Sequence, residues 1–204
     1  MLSVADNELM TRVGPGTPVG ELMRQYWIPA LMSIELPGPD SDPVRVRLLC
    51  EDLIAFRDTD GNIGLVDNYC PHRRASLFFG RNEECGLRCV YHGWKFDVNG
   101  DCVDMPSEPA ESNFKDKVKI KAYACQERNG IIWTYMGTRT ELPPLPDIEP
   151  NMLDEDAEQS VWTAMRDCNW VQALEGDIDT SHLGFLHLGS LDAENMTPGS
   201  FDYY

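Results

Sequence analysis

The sequence predicts an α+β fold, a small antiparallel β domain followed by the start of a second domain that opens with helix. Three observations predict it. Short alternating stretches separated by turn dipeptides fill residues 40–137. A run with four prolines, ELPPLPDIEP at 141–150, interrupts them, and a helical pattern then occupies residues 168–188.

Each element has a local reason. Thr17 can cap a helix, Pro18 suits its first position, and Leu22 and Tyr26 recur four apart among good helix formers. Val44 to Leu48 alternates as a half-buried strand does, and Leu53 to Arg57 follows. Asp60-Gly61-Asn62 turns the chain into Ile63 to Asp67. Trp94 to Val98 runs into Asn99-Gly100, a strong hairpin signal. Val118 to Tyr123 alternates and turns at Asn129-Gly130 into Ile131 to Tyr135. Four prolines resist helix and sheet, so 141–152 reads as a linker and the domain boundary is placed there. Beyond it, Ser160 to Met165 is expected to be a strand. The expected organisation is a helical segment at 1–39 that packs on the later domain, the β domain at 40–140, the linker, and the opening of the later domain at 153–204.

Composition narrows the function. Seventeen Lys and Arg stand against 34 Asp and Glu, a formal charge of −17. So acidic a chain repels phosphate backbones, and nucleic acid is not an expected partner. The opening MLSVADNELMTRVG has no basic leader before a long apolar run, so no signal peptide is read. No segment approaches the eighteen or so apolar residues that cross a bilayer. A cytoplasmic location follows as the default, and cysteines there act as ligands or core residues more often than as disulfides.

Seven cysteines and only four histidines are present, and two of each fall in CPHRRASLFFGRNEECGLRCVYHGW at 70–94. Cys70 and His72 lie two apart, Cys89 and His92 three apart, with sixteen residues between the pairs. Thiolate and imidazole both bind transition metals, and two close pairs let two loops present four ligands. A tetrahedral Cys2His2 zinc site and a two-iron Rieske centre both use such a set. Zinc fingers pair Cys with Cys and His with His along the chain. Here each loop carries one of each, as a cluster with two Cys on one iron and two His on the other requires. The other cysteines, Cys50, Cys85, Cys102, Cys125 and Cys168, read as small core or surface residues.

At these residues the chain resembles the Rieske oxygenases. Cys70-Pro71-His72-Arg73 and Cys89-Val90-Tyr91-His92-Gly93-Trp94 are similar to their paired loops. Respiratory Rieske proteins add a disulfide between the loops. The corresponding position here is Ala75, and Trp94 after His-Gly also favours the oxygenase type. The resemblance implies a [2Fe-2S] Rieske cluster with Cys70 and Cys89 on the buried iron and His72 and His92 on the outer one.

The other two histidines, His182 and His187, lie in NWVQALEGDIDTSHLGFLHLG with Glu175 and Asp179. Two His and a carboxylate suit mononuclear non-haem Fe(II), with open positions for O2 and substrate. On a regular helix, residues five apart point roughly 140° away from each other. The helix is therefore expected to break between His182 and His187, with Gly184 the natural place. The segment again resembles Rieske oxygenases, in which both histidines bind iron. The Asp before them bridges by hydrogen bonds to a Rieske His of a neighbouring subunit, and that role is carried to Asp179.

Together with the opening NELMTRVGPGTPVGELMRQYWIPA, both motifs are similar to the phthalate dioxygenase-like group of Rieske non-haem iron ring-hydroxylating oxygenase α subunits. The resemblance implies a Rieske domain followed by the start of an α+β, helix-grip type catalytic domain. It implies a homo-trimer or stacked hexamer, fed by an NAD(P)H-dependent reductase with flavin and a plant-type [2Fe-2S] centre. The substrate is expected to be an aromatic acid or aryl ether, and the reaction a dioxygenation, a monooxygenation or an oxidative demethylation. The family's third iron ligand, an Asp, comes from later in the catalytic domain. Asp192, Glu194 and Asp202 do not match its context, so the chain is expected to be a C-terminally truncated fragment that binds Fe(II) poorly. The competing reading is a Rieske electron carrier without oxygenase activity, which leaves His182, His187 and Asp179 unexplained.

Overall fold

A computed structural model describes residues 2–109, 111–154 and 157–187 of the chain. Its elements, in order, are α1 (Val4–Thr11), α2 (Pro18–Met23), β1 (Trp27–Met32), β2 (Val44–Leu48), β3 (Glu51–Arg57), β4 (Ile63–Asp67), β5 (Arg81–Asn82), β6 (Leu87–Arg88), β7 (Lys95–Phe96), β8 (Cys102–Asp104), β9 (Ala122–Arg128), β10 (Ile131–Tyr135), α3 (Glu149–Met152), α4 (Trp170–Ile178) and α5 (Leu183–Leu186). Two compact units result, Arg12–Thr163 and a second that joins Met1–Thr11 to Ala164–Tyr204.

The first unit is built on two antiparallel sheets. One has six strands in the order β1-β10-β9-β4-β3-β2, and the other has four in the order β5-β6-β7-β8. β3 explains how they stack. Four consecutive residues, Leu53 to Phe56, are buried, which marks a strand covered on both faces. Ile54 and Phe56 join Val66, Leu87, Phe96 and Cys102 in a core between the two sheets. Leu53 and Ala55 turn the other way, into a core with Leu31, Leu36, Leu65 and Ile132.

Several local expectations hold. Thr17 caps α2, its side chain accepting from the Gly20 N–H at 3.2 Å, with Pro18 at the first position. Asn129-Gly130 joins β9 to β10 in register, Ile131 opposite Arg128. Asn99-Gly100 lies in a five-residue connection from β7 to β8, where Asp97 Oδ1 accepts from the N–H groups of Asn99 and Asp101, each at 2.9 Å. Gly100 has φ +81°, and a Cβ there would strike the Ile120 carbonyl.

Other expectations are corrected. Residues 118–121 are not in the long strand, which starts at Ala122. They follow the short 3-10 turn Phe114–Lys117 and close the small sheet, where Cys102 N–H donates to Val118 O at 3.1 Å and Ile120 N–H to Gly100 O at 2.8 Å. Ser160 to Met165 forms no strand. The helical segment expected at 1–39 contains β1, which pairs with β10 along an outer edge. Pro29 is tolerated there because its missing N–H falls on an edge strand, at a register shift. The boundary expected in the proline run lies instead at 163/164. The prolines run as a strap tied to the sheet: Trp27 Nε1 donates to Pro143 O at 2.8 Å, Asn129 Nδ2 to Pro150 O at 2.7 Å, and Leu145 packs on Trp27, Trp133 and Tyr135.

In the second unit, Ser3 Oγ accepts from the Asp6 N–H at 3.1 Å and starts α1, while Asn169 Oδ1 accepts from Gln172 N–H at 3.1 Å and starts α4. Trp170 Nε1 donates to Met10 O at 2.9 Å and ties the two helices together. Among the described residues no helix is long and apolar enough to cross a membrane.

One buried ion pair holds the entry of the first unit. Arg24, at the end of α2, is 5% exposed and meets Glu51 Oε1 of β3 at 2.8 Å. Lys121 Nζ and Tyr123 Oη also donate to Glu51, at 2.7 and 2.8 Å. Burial pushes the Glu51 carboxyl up, but hydrogen bonds from Arg24, Lys121 and Tyr123 outweigh it and hold it below its ordinary value. A lowered carboxylate pKa contributes stability above the ordinary carboxylate range and loses it as pH falls through the lowered value. Glu51→Gln leaves Arg24 buried without its counterion and should cost about 3 kcal/mol, roughly 10 °C in Tm at neutral pH by calorimetry. The cost should shrink as pH falls through that range. Arg47→Ala, which breaks an exposed pair with Asp52, should change stability by less than about 0.5 kcal/mol.

Candidate functional site

Two loops at one end of the small sheet share a backbone pattern. In the first, Cys70 N–H donates to Ala75 O at 2.9 Å and Arg74 N–H to Cys70 O at 2.9 Å. In the second, Cys89 N–H donates to Trp94 O at 2.8 Å and Gly93 N–H to Cys89 O at 3.0 Å. The fifth residue of each is left-handed, Arg74 at φ +60° and Gly93 at φ +76°. A Cβ on Gly93 would come within 2.6 Å of Pro106 Cγ, so that position excludes other side chains twice over. The repeated closure points both cysteines into the core between the sheets, where they are 2% and 3% exposed.

The four donors stand as two pairs. The Cys70 and Cys89 thiols lie together. The rings of His72 and His92 lie 4.4 Å apart, centroid to centroid, half-buried at the edge of the unit. Among the described residues, no three His, Cys, Asp or Glu side chains gather around a single point. Burial pushes the Cys70 thiol up to about 11, against backbone N–H groups of His72 and Arg73 that point at its sulfur. Burial, with His92 and Arg73 nearby, pushes the His72 imidazole below its ordinary value and so favours its neutral form. His72 Nδ1 is buried and has no hydrogen-bond partner. A buried, neutral, unpartnered ring nitrogen is a poor arrangement for an empty protein and a good one for a metal ligand. Oriented N–H groups beside the cysteine sulfur favour its thiolate form. The residues therefore fit a group held by sulfur at one end and nitrogen at the other.

Each loop is braced from behind by residues that the spacing argument does not reach. Asn68 Oδ1 accepts from Ser76 Oγ at 2.6 Å, and Asn68 O accepts from Leu77 N–H at 2.7 Å, which fixes the exit of the first loop. Arg88 donates to Gly93 O at 2.8 Å, to Asp104 Oδ2 at 2.6 Å and to Glu83 Oε1 at 2.6 Å, clamping the second. Salt links from Arg81 and Arg88 hold the Glu83 carboxyl down at about 2. Trp94 lies parallel to His72, centroids 4.7 Å apart and planes 11° apart. The signal for Arg88 and Trp94 was adjacency: one precedes the second ligand loop and the other ends it.

The remaining cysteines behave as expected. Cys50 and Cys168 are exposed, Cys85 donates to Asp60 Oδ2 at 3.3 Å, Cys102 is buried, and burial pushes Cys125 up to about 12.

In the second unit, α4 ends at Asp179, whose extended backbone (ψ 109°) stops the helix. The break therefore falls before His182, not at Gly184, which sits inside the four-residue α5. Asp179 Oδ1 takes the Ser181 N–H at 2.8 Å, an alternative to the helical pattern that turns the chain. His182 and His187 flank α5 outside its regular turn, and their rings lie 5.3 Å apart. Asp179 Oδ2 is 3.4 Å from His182 Nδ1. The Ser181 N–H, with His182 nearby, holds the Asp179 carboxyl below its ordinary value. A carboxylate on one ring nitrogen orients a histidine whose other nitrogen binds a metal. Asp192, Glu194 and Asp202 lie outside the described residues.

Comparison with known proteins matches residues 26–124 to the Rieske [2Fe-2S] domain. The chain is 54% identical to the 3-chlorobenzoate-3,4-dioxygenase oxygenase subunit of Comamonas testosteroni, over 96% of this chain and 45% of the relative. It is 49% identical to the phthalate 4,5-dioxygenase oxygenase subunit of Pseudomonas putida, over 92% of this chain and 42% of the relative. Among solved structures, the reduced complex between oxygenase and ferredoxin in carbazole 1,9a-dioxygenase matches with a TM-score of 0.66 and 30% identity, over 78% of this chain and 41% of that one. The chain thus spans under half the length of these relatives.

If the paired thiols hold the group, Cys70→Ser should abolish the brown colour of anaerobically reconstituted protein, while Cys102→Ser, in the same core, should retain it. Absorbance and acid-labile sulfide read both. Arg88→Met should leave sulfide content near wild type but raise its loss on warming several-fold, because the second loop loses its clamp.

Two loops closed alike, a thiol pair beneath an imidazole pair, and the matched sequences place this chain in the Rieske non-haem iron oxygenase family, in the group of the phthalate and chlorobenzoate dioxygenase oxygenase subunits.

Proposed function

We propose that this chain is part of the oxygenase component of an aromatic-ring-hydroxylating system, with an aromatic acid as the substrate class. The observation that carries the reading is the pairing of thiol with thiol and imidazole with imidazole, together with the Asp179–His182 contact in the other unit. When bound, the two-iron cluster supplies one-electron transfer and the mononuclear iron supplies O2 activation.

Cys70 and Cys89 would hold the inner iron as thiolates. His72 and His92 would hold the outer one. With His72 Nδ1 held by the group, its Nε2 would be the ring atom left to carry a proton. His182 and His187 contribute two ligands to the second centre. The Asp179 carboxylate, 3.4 Å from His182 Nδ1, would orient that ring and leave its Nε2 for the metal. In an assembly of several copies, the same carboxylate is also the bridge to a cluster imidazole of a neighbouring copy. The electron donor is an NAD(P)H-dependent reductase, and the oligomer a trimer or stacked trimers. The setting is the cytoplasm, where thiols that are not metal ligands stay reduced.

Two measurements test this. After anaerobic reconstitution the 204-residue chain should hold about two irons and two acid-labile sulfides per chain, with little further Fe(II). Tight stoichiometric binding of a third iron contradicts the reading of the second unit. In the complete oxygenase subunit, Asp179→Ala should keep both metal centres yet lose substrate-dependent oxygen uptake by two orders of magnitude or more, about 3 kcal/mol in barrier. Normal turnover by that variant rules out the bridging role. Product analysis then separates ring dihydroxylation from demethylation.

A further inference from the structure

The ligand loops touch each other through a residue that is not itself a ligand. Trp94 leaves the second loop and lays its indole parallel to His72, a ligand from the first loop, at 4.7 Å and 11°. Phe114, from the turn beyond β8, lies near Trp94 in a T-shaped arrangement, centroids 6.2 Å apart and planes 71° apart. Trp94 is half-buried and packs against the core that contains Cys70 and Cys89. Tyr91 also touches an imidazole, that of His92, but it is the adjacent residue, tilted by 36° and 62% exposed. Among the described residues, the indole crosses from the second loop to a ligand of the first and is itself packed on the core.

We propose that Trp94 is a positioning residue that fixes His72 and, through it, keeps the reduction potential of the two-iron cluster low. The proposal rests on the assignment of Cys70, His72, Cys89 and His92 as its ligands. Two ferric irons, two sulfides and two thiolates sum to zero charge, and one electron from the donor brings the sum to minus one. An electron-rich indole face against the imidazole stabilises the more positive, oxidised form. By covering the ring it also keeps water from solvating the extra negative charge of the reduced form. Both effects act in the same direction. The backbone carbonyl of Trp94 closes the second loop on Cys89, and that bond is independent of the side chain, so substitution tests the indole without opening the loop.

The test is a redox titration of the reconstituted chain, followed by EPR of the reduced state, for wild type, Trp94→Leu and Trp94→Phe. Trp94→Leu should shift the midpoint potential upward and alter the g-anisotropy, with sulfide content unchanged. Trp94→Phe, which keeps a ring against His72, should remain close to wild type. A Leu variant that cannot load the cluster while the Phe variant loads it supports the same role. The proposal is overturned by an unmoved potential in Trp94→Leu, by an equal shift in both variants, or by loss of loading in both. Wild-type protein without acid-labile sulfide would instead overturn the ligand assignment.

Discussion

Everything in the first unit depends on burying two thiols side by side in an apolar core while two imidazoles stay at its edge. Burial alone opposes this arrangement, since it drives the Cys70 thiol up to about 11 and leaves His72 Nδ1 without a partner. The fold imposes it through backbone hydrogen bonds. Each loop closes residue one onto residue six and residue five onto residue one. That closure turns the first side chain of the loop inward, and the histidine two or three residues later ends at the rim. A bound metal group would offset both costs, by replacing two thiol protons and by satisfying the orphaned nitrogen.

The two sheets make such a loop pair possible. Strands of two or three residues cannot hold a sheet together by themselves, and β5 to β8 are that short. They persist because Ile54, Phe56 and Val66 of the long sheet cover their inner face. The small sheet is thus a platform carried by the large one. Arg88 ties the second loop to this platform by hydrogen bonds, and Asn68 ties the first to β3 of the large sheet through Asp52 O and to its own exit through Ser76.

The sequence was most informative where chemistry and spacing coincide. Mixed Cys-His pairs could be read directly, as could Thr17-Pro18, the Asn129-Gly130 hairpin and the need for a break near His182. It was least informative where tertiary contacts override local preference. Leu49 and Cys50 form the β2–β3 turn with φ +42° and +64°, although neither residue favours that region. Arg24 helps hold them there, its Nη2 donating to Leu49 O at 3.1 Å, against a cost of about 1–2 kcal/mol per residue. Pro29 masks β1, and the proline run reads locally as a linker because the bonds that hold it, from Trp27 and Asn129, come from far away in sequence. The Ser3–Asp6 capping pattern that starts α1 is a local signal legible in the sequence. Gly184 drew the expected helix break because glycine is the usual breaker, whereas Asp179 makes the break with its own carboxylate.

The central claim is that one end of a two-iron group is held by sulfur and the other by nitrogen. Electron-nuclear double resonance on the reduced, reconstituted chain, with 15N placed selectively in histidine, tests it most directly. The account predicts two distinct strong nitrogen couplings, reduced to one in protein with His72 or His92 replaced by cysteine. A spectrum without histidine nitrogen couplings, typical of four sulfur ligands, or a diamagnetic, colourless protein holding a single zinc ion, would contradict it.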